Sequence, residues 1–212
     1  VSRYAPVQQA RTLASILLSI SATNSGSENK TILDVGTGSG VLPFVLSLAK
    51  RSHTLGKDPF LTTEKSTKHF GLQQASVLDI SENFDLILYK HSLEHMHNIA
   101  DSLAHAQKLL QPNGRIIVRV PTVSCQAWDT YRECWFQLDA PRHICIPSRK
   151  GLEQLATSCG LQIVKSYDDS TDTQFWLSEA VAQGLSTMDA NTGYTSYLTN
   201  THTRKKKLAM RR

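Results

Sequence analysis

The stretch TILDVGTGSGV, Thr31 to Val41, decides how the rest of the chain is read. Thr31 to Val35 has the β-branched and aliphatic composition of a short buried strand, with Asp34 as its single charge. Three glycines follow at alternate positions, Gly36, Gly38 and Gly40. Glycine tolerates a left-handed backbone and lets the main chain approach a ligand where a Cβ would collide. A helix is expected from Val41 to Lys50, with Pro43 in its first turn, where a missing N–H does little harm. Strand, glycine turn and helix together form the usual seat for a nucleotide in an α/β sheet.

The alternation continues outward. His53 to Lys57 reads as a strand ending at Asp58-Pro59, followed by a short helical stretch around Thr62 to His69 and a strand near Gln74 to Leu78. Phe84 to Tyr89 is a clear strand, and Asn98 to Leu110 has helical apolar spacing that ends in the turn chemistry of Gln111-Pro112-Asn113-Gly114. Arg115 to Val120 reads as another strand. Residues 122–147 read as an irregular, aromatic-rich segment, and Ser148 to Ser158 as a helix between a Ser148 cap and a Gly160 stop. Leu161 to Tyr167 and Thr173 to Leu177 read as an antiparallel hairpin. The expected fold is therefore α/β, a mostly parallel sheet with helices on both faces and an antiparallel C-terminal strand. Residues 1–30 are read as an N-terminal helix and polar linker, 31–180 as the ligand-binding domain, and 181–212 as a C-terminal extension.

Bulk composition narrows the possibilities. At 212 residues, 40% hydrophobic and 19% charged, the chain fits one globular domain better than two. No apolar run approaches the roughly 18 residues of a membrane span. Val1 rather than Met fits a piece of a longer protein, and no cleavable signal pattern is expected. The formal charge of +5 is local: six Lys and Arg lie within Arg204 to Arg212, and removing those six leaves −1 for the rest. Nucleic acid is accordingly not the expected partner. Cys125, Cys134, Cys145 and Cys159 contain no CxxC pair or common zinc spacing, so free thiols, no metal and a reducing cytoplasm are expected.

The glycine spacing is GxGxG rather than the GxGxxG of dinucleotide binders, and Asp34 stands two residues before the first glycine. A carboxylate there would repel a pyrophosphate and suits a cationic ligand. S-adenosylmethionine carries a sulfonium and an ammonium. Asp58, 22 residues after Gly36 at the end of the second strand, is placed to accept the ribose hydroxyls.

Further stretches extend this reading. FDLILYKHSLEHMHN (84–98), LLQPNGRIIVRVP (109–121) and WFQLDAPRHICIPSRKGLEQLATSCGL (135–161), in this order after the glycine loop, resemble the class I S-adenosylmethionine-dependent methyltransferases. They resemble in particular a subgroup with Leu-Glu-His after the fourth strand and a Trp…Asp-x-Pro-Arg-His segment after the fifth. The resemblance implies a Rossmann-like methyltransferase fold with a seven-stranded sheet, and a substrate cap over 122–147. It implies cofactor roles for Asp34, Gly36, Thr37, Gly38, Gly40 and Asp58, for Leu78 and Asp79 near adenine, and for Lys90 and His91 near the sulfonium. The segment between Asp58 and Phe84 is shorter than is usual in that family.

Methyl transfer is an in-line displacement that relies on alignment, with histidine the natural base where a proton must leave. His91, His95 and His143 are the candidate catalytic residues. Trp128, Tyr131, Trp135 and Phe136 read either as a pocket wall or as the core beneath the cap. The expected activity is transfer of a methyl group from S-adenosylmethionine to a small-molecule acceptor, read as O-methylation of a sugar or other metabolite, with nitrogen and carbon left open. The alternatives are an inactive methyltransferase-like binding module and, more remotely, a nicotinamide-dependent oxidoreductase.

Overall fold

The computed structural model describes residues 30–48 and 52–185. The expected N-terminal helix and the basic tail lie outside these residues. Six strands form one sheet: β1 (Lys30–Val35), β2 (Ser52–Lys57), β3 (Lys65–Ser66), β4 (Phe70–Gln73), β5 (Phe84–Lys90) and β6 (Leu110–Arg119). Their order is β3-β4-β2-β1-β5-β6, and every pairing is parallel except β3 with β4. The helices are α1 (Val41–Ser47), α2 (Ile99–Lys108), α3 (Gln126–Tyr131), α4 (Arg149–Ser158) and α5 (Thr173–Ala182).

The alternation of side chains along β1 and β5 separates two cores. Leu33, Val35, Ile87 and Tyr89 pack with Leu103 and Ala106 of α2 and with Leu152 and Leu155 of α4. Ile32, Leu86 and Leu88 face the other way, against Leu42 and Leu46 of α1. A parallel sheet must be covered on both faces, and β1 and β5 read as unbroken apolar runs for that reason. Tyr89 is fully buried, and its hydroxyl is satisfied by Ser102 of α2. Ser148 caps α4 by accepting from Gly151 N, and Gly160 ends it at φ 73°.

Several expectations need correction. The described residues hold six strands rather than seven. The C-terminal hairpin is absent: 161–171 is irregular, and TQFWLSEAVA forms helix α5. This segment is rich in helix formers, and Ser178 is fixed helically, its Oγ donating to Gln174 O at 2.6 Å and accepting from Phe136 N at 2.9 Å. The helix expected at Thr62 to His69 is replaced by the edge strand β3. There Thr67 Oγ1 donates to Phe70 O and accepts from Phe70 N, a local turn that competes with helix. The next strand is accordingly Phe70–Gln73, ahead of the expected 74–78. The Leu-Glu-His stretch forms its own 3-10 turn at Leu93–His95, and α2 starts after it from an Asn98 cap, where the apolar spacing places it. The Gln111–Gly114 turn becomes a bulge within β6, whose partners jump from Leu110 opposite Phe84 to Arg115 opposite Leu86.

Candidate functional site

Strand order reverses between β1 and β5, and ligands of open α/β sheets sit beyond the carboxyl ends of the strands at such a point. There the chain places Gly36 to Gly40 after β1, Asp58 after β2 and His91 after β5.

Gly36, Gly38 and Gly40 all adopt left-handed backbone, with φ of 72°, 55° and 74°. Gly36 N and Thr37 N donate to Lys57 O at 2.8 and 3.3 Å, which locks the loop to β2. A Cβ on Gly36 would lie 2.5 Å from Ser92 Cβ, and one on Gly40 2.5 Å from Leu72 Cδ1. A Cβ on Gly38 would meet nothing within 4 Å, so the outer glycines pack the loop and the middle one presents it.

Asp58 bridges two loops: Oδ2 accepts from Gly38 N at 2.9 Å and Oδ1 from Phe60 N at 2.8 Å. A cavity of about 530 Å³ opens beside this carboxylate, lined by Gly38, Ser39, Asp58, Phe60, Lys65 and Leu72 among others. That volume suits a nucleoside-sized ligand. Leu78 and Asp79 do not line it. Leu78 is exposed, and Asp79 Oδ2 accepts from Ser76 N to close a capping box around its own turn.

Asp34 is 3% exposed, and Thr37 Oγ1 donates to its Oδ2 at 2.8 Å. Burial pushes its carboxyl pKa up to about 6; the Thr37 hydrogen bond and the Lys90 charge oppose the rise, and the Asp58 charge adds to it. The loop thus keeps a desolvated carboxylate beside its glycines, with Lys90 as the nearby cation.

His91 is engaged at both ring nitrogens. Arg119 Nη1 donates to Nε2, so Nδ1 carries the proton and donates to Glu94 Oε1 at 3.2 Å. Arg119 is held in turn by Asp169. Next to His91, Ser92 Oγ is buried without a hydrogen-bond partner.

The two remaining candidate histidines meet although they are distant in sequence. Glu94 O accepts from Ile144 N at 2.8 Å and Cys145 N at 3.2 Å, which fastens the Asp-Ala-Pro-Arg-His segment to the Leu-Glu-His turn. His95 Nδ1 bonds Arg142 O at 2.8 Å and His143 Nδ1 bonds Gln137 O at 2.7 Å, with the rings 4.8 Å apart. Helix α3, the turns that follow it and α5 pack together into a small unit. Trp135, 2% exposed, is its core, edge-on to Trp128 and donating from Nε1 to Gln174 Oε1. Of the two readings of the aromatic segment, Trp135 takes the core one.

Sequence reading passed over Ser92, Leu72, Phe60 and Arg119. The first two matter because they fill the space that the glycines leave, and only the folded backbone shows which residue faces a glycine. Phe60 N donates to Asp58 Oδ1 two residues back, a local Asp-Pro turn, whereas Arg119 reaches His91 from the neighbouring strand β6 and leaves no local pattern.

Comparison with known proteins agrees with this geometry. The family model described as "Methyltransferase domain" matches residues 6–166. Among solved structures, magnesium protoporphyrin IX methyltransferase from Synechocystis PCC 6803, with bound SAH, superposes with a TM-score of 0.60 at 14% identity, over 78% of each chain. Mycolic acid cyclopropane synthase, complexed with SAH and CTAB, gives 0.59 at 16% identity, over 83% of this chain and 70% of that one. The YcgJ protein of Bacillus subtilis gives 0.54 at 15%, over 91% and 87%. No curated protein sequence matches the chain at a significant level.

Proposed function

The chain belongs to the methyltransferase-domain family, and on that premise we propose that it moves a methyl group from S-adenosylmethionine to a small-molecule acceptor. The observation that carries this reading is Asp34, a buried carboxylate beside three left-handed glycines at the switch point of the sheet. Such a group attracts the ammonium of the donor's methionine end and repels a pyrophosphate, which weighs against a dinucleotide. The cavity at Asp58 supports a nucleoside end there, with carboxylate lone pairs to spare for the ribose hydroxyls. The similar Synechocystis enzyme has been solved with SAM and with SAH.

In this reading Gly38 offers its backbone to the donor and Lys90 balances the charge of Asp34. His91, tied at both nitrogens, positions the turn after β5 rather than accepting a proton. The turn carrying Glu94 and His95, the Asp139 to His143 segment and the cap over 122–147 form the acceptor side. An oxygen of a sugar or other metabolite remains our choice of acceptor. When bound, the donor supplies the methyl group and a neutral thioether leaving group; the chain aligns it and excludes water.

A non-catalytic binding module is the second reading, favoured by the absence of any helix between β2 and β4 among the described residues. Calorimetry with S-adenosylmethionine, S-adenosylhomocysteine and NAD tests the proposal. Binding of both sulfur nucleotides and not of NAD is expected, and a chain that binds neither overturns it. Methylated product in a metabolite pool incubated with the donor then separates enzyme from module.

A further inference from the structure

Where Leu-Glu-His meets Asp-Ala-Pro-Arg-His, the donor side leaves three groups unused. One potential ligand atom from each of Glu94, His95 and His143 lies within 4.8 Å of the others. Both imidazoles are pre-set, because Nδ1 of each bonds a backbone carbonyl, Arg142 O and Gln137 O. A carbonyl only accepts, so Nδ1 bears the proton and Nε2 keeps its lone pair. Metal-ligating histidines are commonly held in this way, with the second ring nitrogen donating to a carbonyl or carboxylate. The Glu94 side chain is fully buried; Oε1 accepts from His91 and Oε2 has no partner. A buried acceptor left unsatisfied is costly, more so when charged, and a cation at Oε2 removes that cost. Asp139 Oδ2, 3.8 Å from His143 Nε2, adds negative charge on the same side, shared with Arg142.

The geometry points to a binding site for one divalent transition-metal ion at Glu94 Oε2, His95 Nε2 and His143 Nε2, with zinc the best match. Two imidazoles and one carboxylate are a zinc donor set that leaves a position open for water or a substrate oxygen. Magnesium and calcium favour oxygen-only sites and fit poorly. At metal–ligand distances of about 2.0–2.2 Å the donors stand roughly 3–3.5 Å apart. The site therefore contracts on binding, and His95, on the exposed side, is the ligand with room to move. The proposal does not depend on methyl transfer, since metal binding is measured directly.

Zinc(II) titrated calorimetrically into the full chain is expected to bind one equivalent at micromolar affinity or tighter. Cobalt(II) in its place is expected to give ligand-field absorption without a thiolate charge-transfer band. His95→Asn and His143→Asn keep a side-chain N–H for the Arg142 and Gln137 carbonyls while removing Nε2, and each is expected to weaken zinc at least tenfold. A purely structural role for the histidines predicts no change in either variant, and that result overturns the site. So does absence of zinc binding by the wild-type chain, or a cobalt spectrum showing thiolate ligation. Should the variants not fold, zinc protection of His95 and His143 from carbethoxylation, read peptide by peptide in the wild-type chain, decides the question. Protection of both supports the site, and protection of neither overturns it.

Discussion

The two ends of the candidate site are held together by different means. On the donor side the contacts are main chain to main chain or main chain to carboxylate: Gly36 and Thr37 to Lys57 O, Gly38 and Phe60 to Asp58. Around Trp135 they are mostly side chain, with its ring against Trp128, its Nε1 on Gln174, and the next residue's N–H on Ser178 Oγ. Backbone contacts demand glycine and one acid but little else, so a donor seat of this kind tolerates change around it. A side-chain core can be repacked without disturbing the sheet, as suits the acceptor side of the function proposed above.

The largest expected effect tests whether the cap is separable. Trp135→Ala should destabilise the protein by about 3–5 kcal/mol, as deletion of a buried aromatic does, seen as a lowered thermal midpoint. Binding of S-adenosylhomocysteine to the protein that remains folded should be unchanged; loss of affinity would mean that the two ends form one unit.

Next comes the loop itself. Gly36→Ala meets both a left-handed φ, costing about 1–2 kcal/mol, and the Ser92 Cβ at 2.5 Å, and overpacking of that kind adds about 1–3 kcal/mol. Gly38→Ala carries only the first penalty. Denaturant melts should therefore rank them clearly, while calorimetry is expected to show donor binding weakened in both, since the proposed function has Gly38 facing the donor. Normal donor binding in Gly38→Ala would break the assignment of the loop's open face.

The smallest effect is one of pH. Burial raises the folded Asp34 carboxyl pKa to about 6, from an ordinary 3.8, so between those values the folded state holds more protons than the unfolded one. Stability from this group therefore falls as pH rises from about 4 to about 6, by at most about 3 kcal/mol. Asp34→Asn keeps an acceptor for Thr37 and should flatten that slope, raising the midpoint of the ligand-free protein at pH 7. It should also weaken the donor. A variant that is stabilised yet still binds normally would remove the carboxylate from the site.

Parts of the molecule whose structure follows from neighbours in sequence were readable in advance. β1 and its glycines, β5, and α4 between Ser148 and Gly160 all carry local signals. Helix α5 was not, since Phe175-Trp176-Leu177 looks like a strand until Phe136 N and Trp135 Nε1 supply distant partners for Ser178 and Gln174. The same holds for β3, where the pairing of Lys65 with Leu72 and Ser66 with Gly71 competes with a weak helical pattern. The placement of Asp34, the glycines and Asp58 at the carboxyl ends of β1 and β2 was legible because it follows from local strand and turn signals. The convergence of Glu94 with His143 was not, because it is made by Ile144 and Cys145 donating to one carbonyl far back in the chain.

That shared carbonyl has a kinematic meaning. Two amides on one oxygen pin the 142–145 segment to the turn after β5, so the cap cannot lift from that end. By contrast, Leu161 to Thr171 has no regular secondary structure and follows α4 directly. On the function proposed above, any opening of the unit formed by α3 and α5 is hinged at this pinned end, beside His95 and His143.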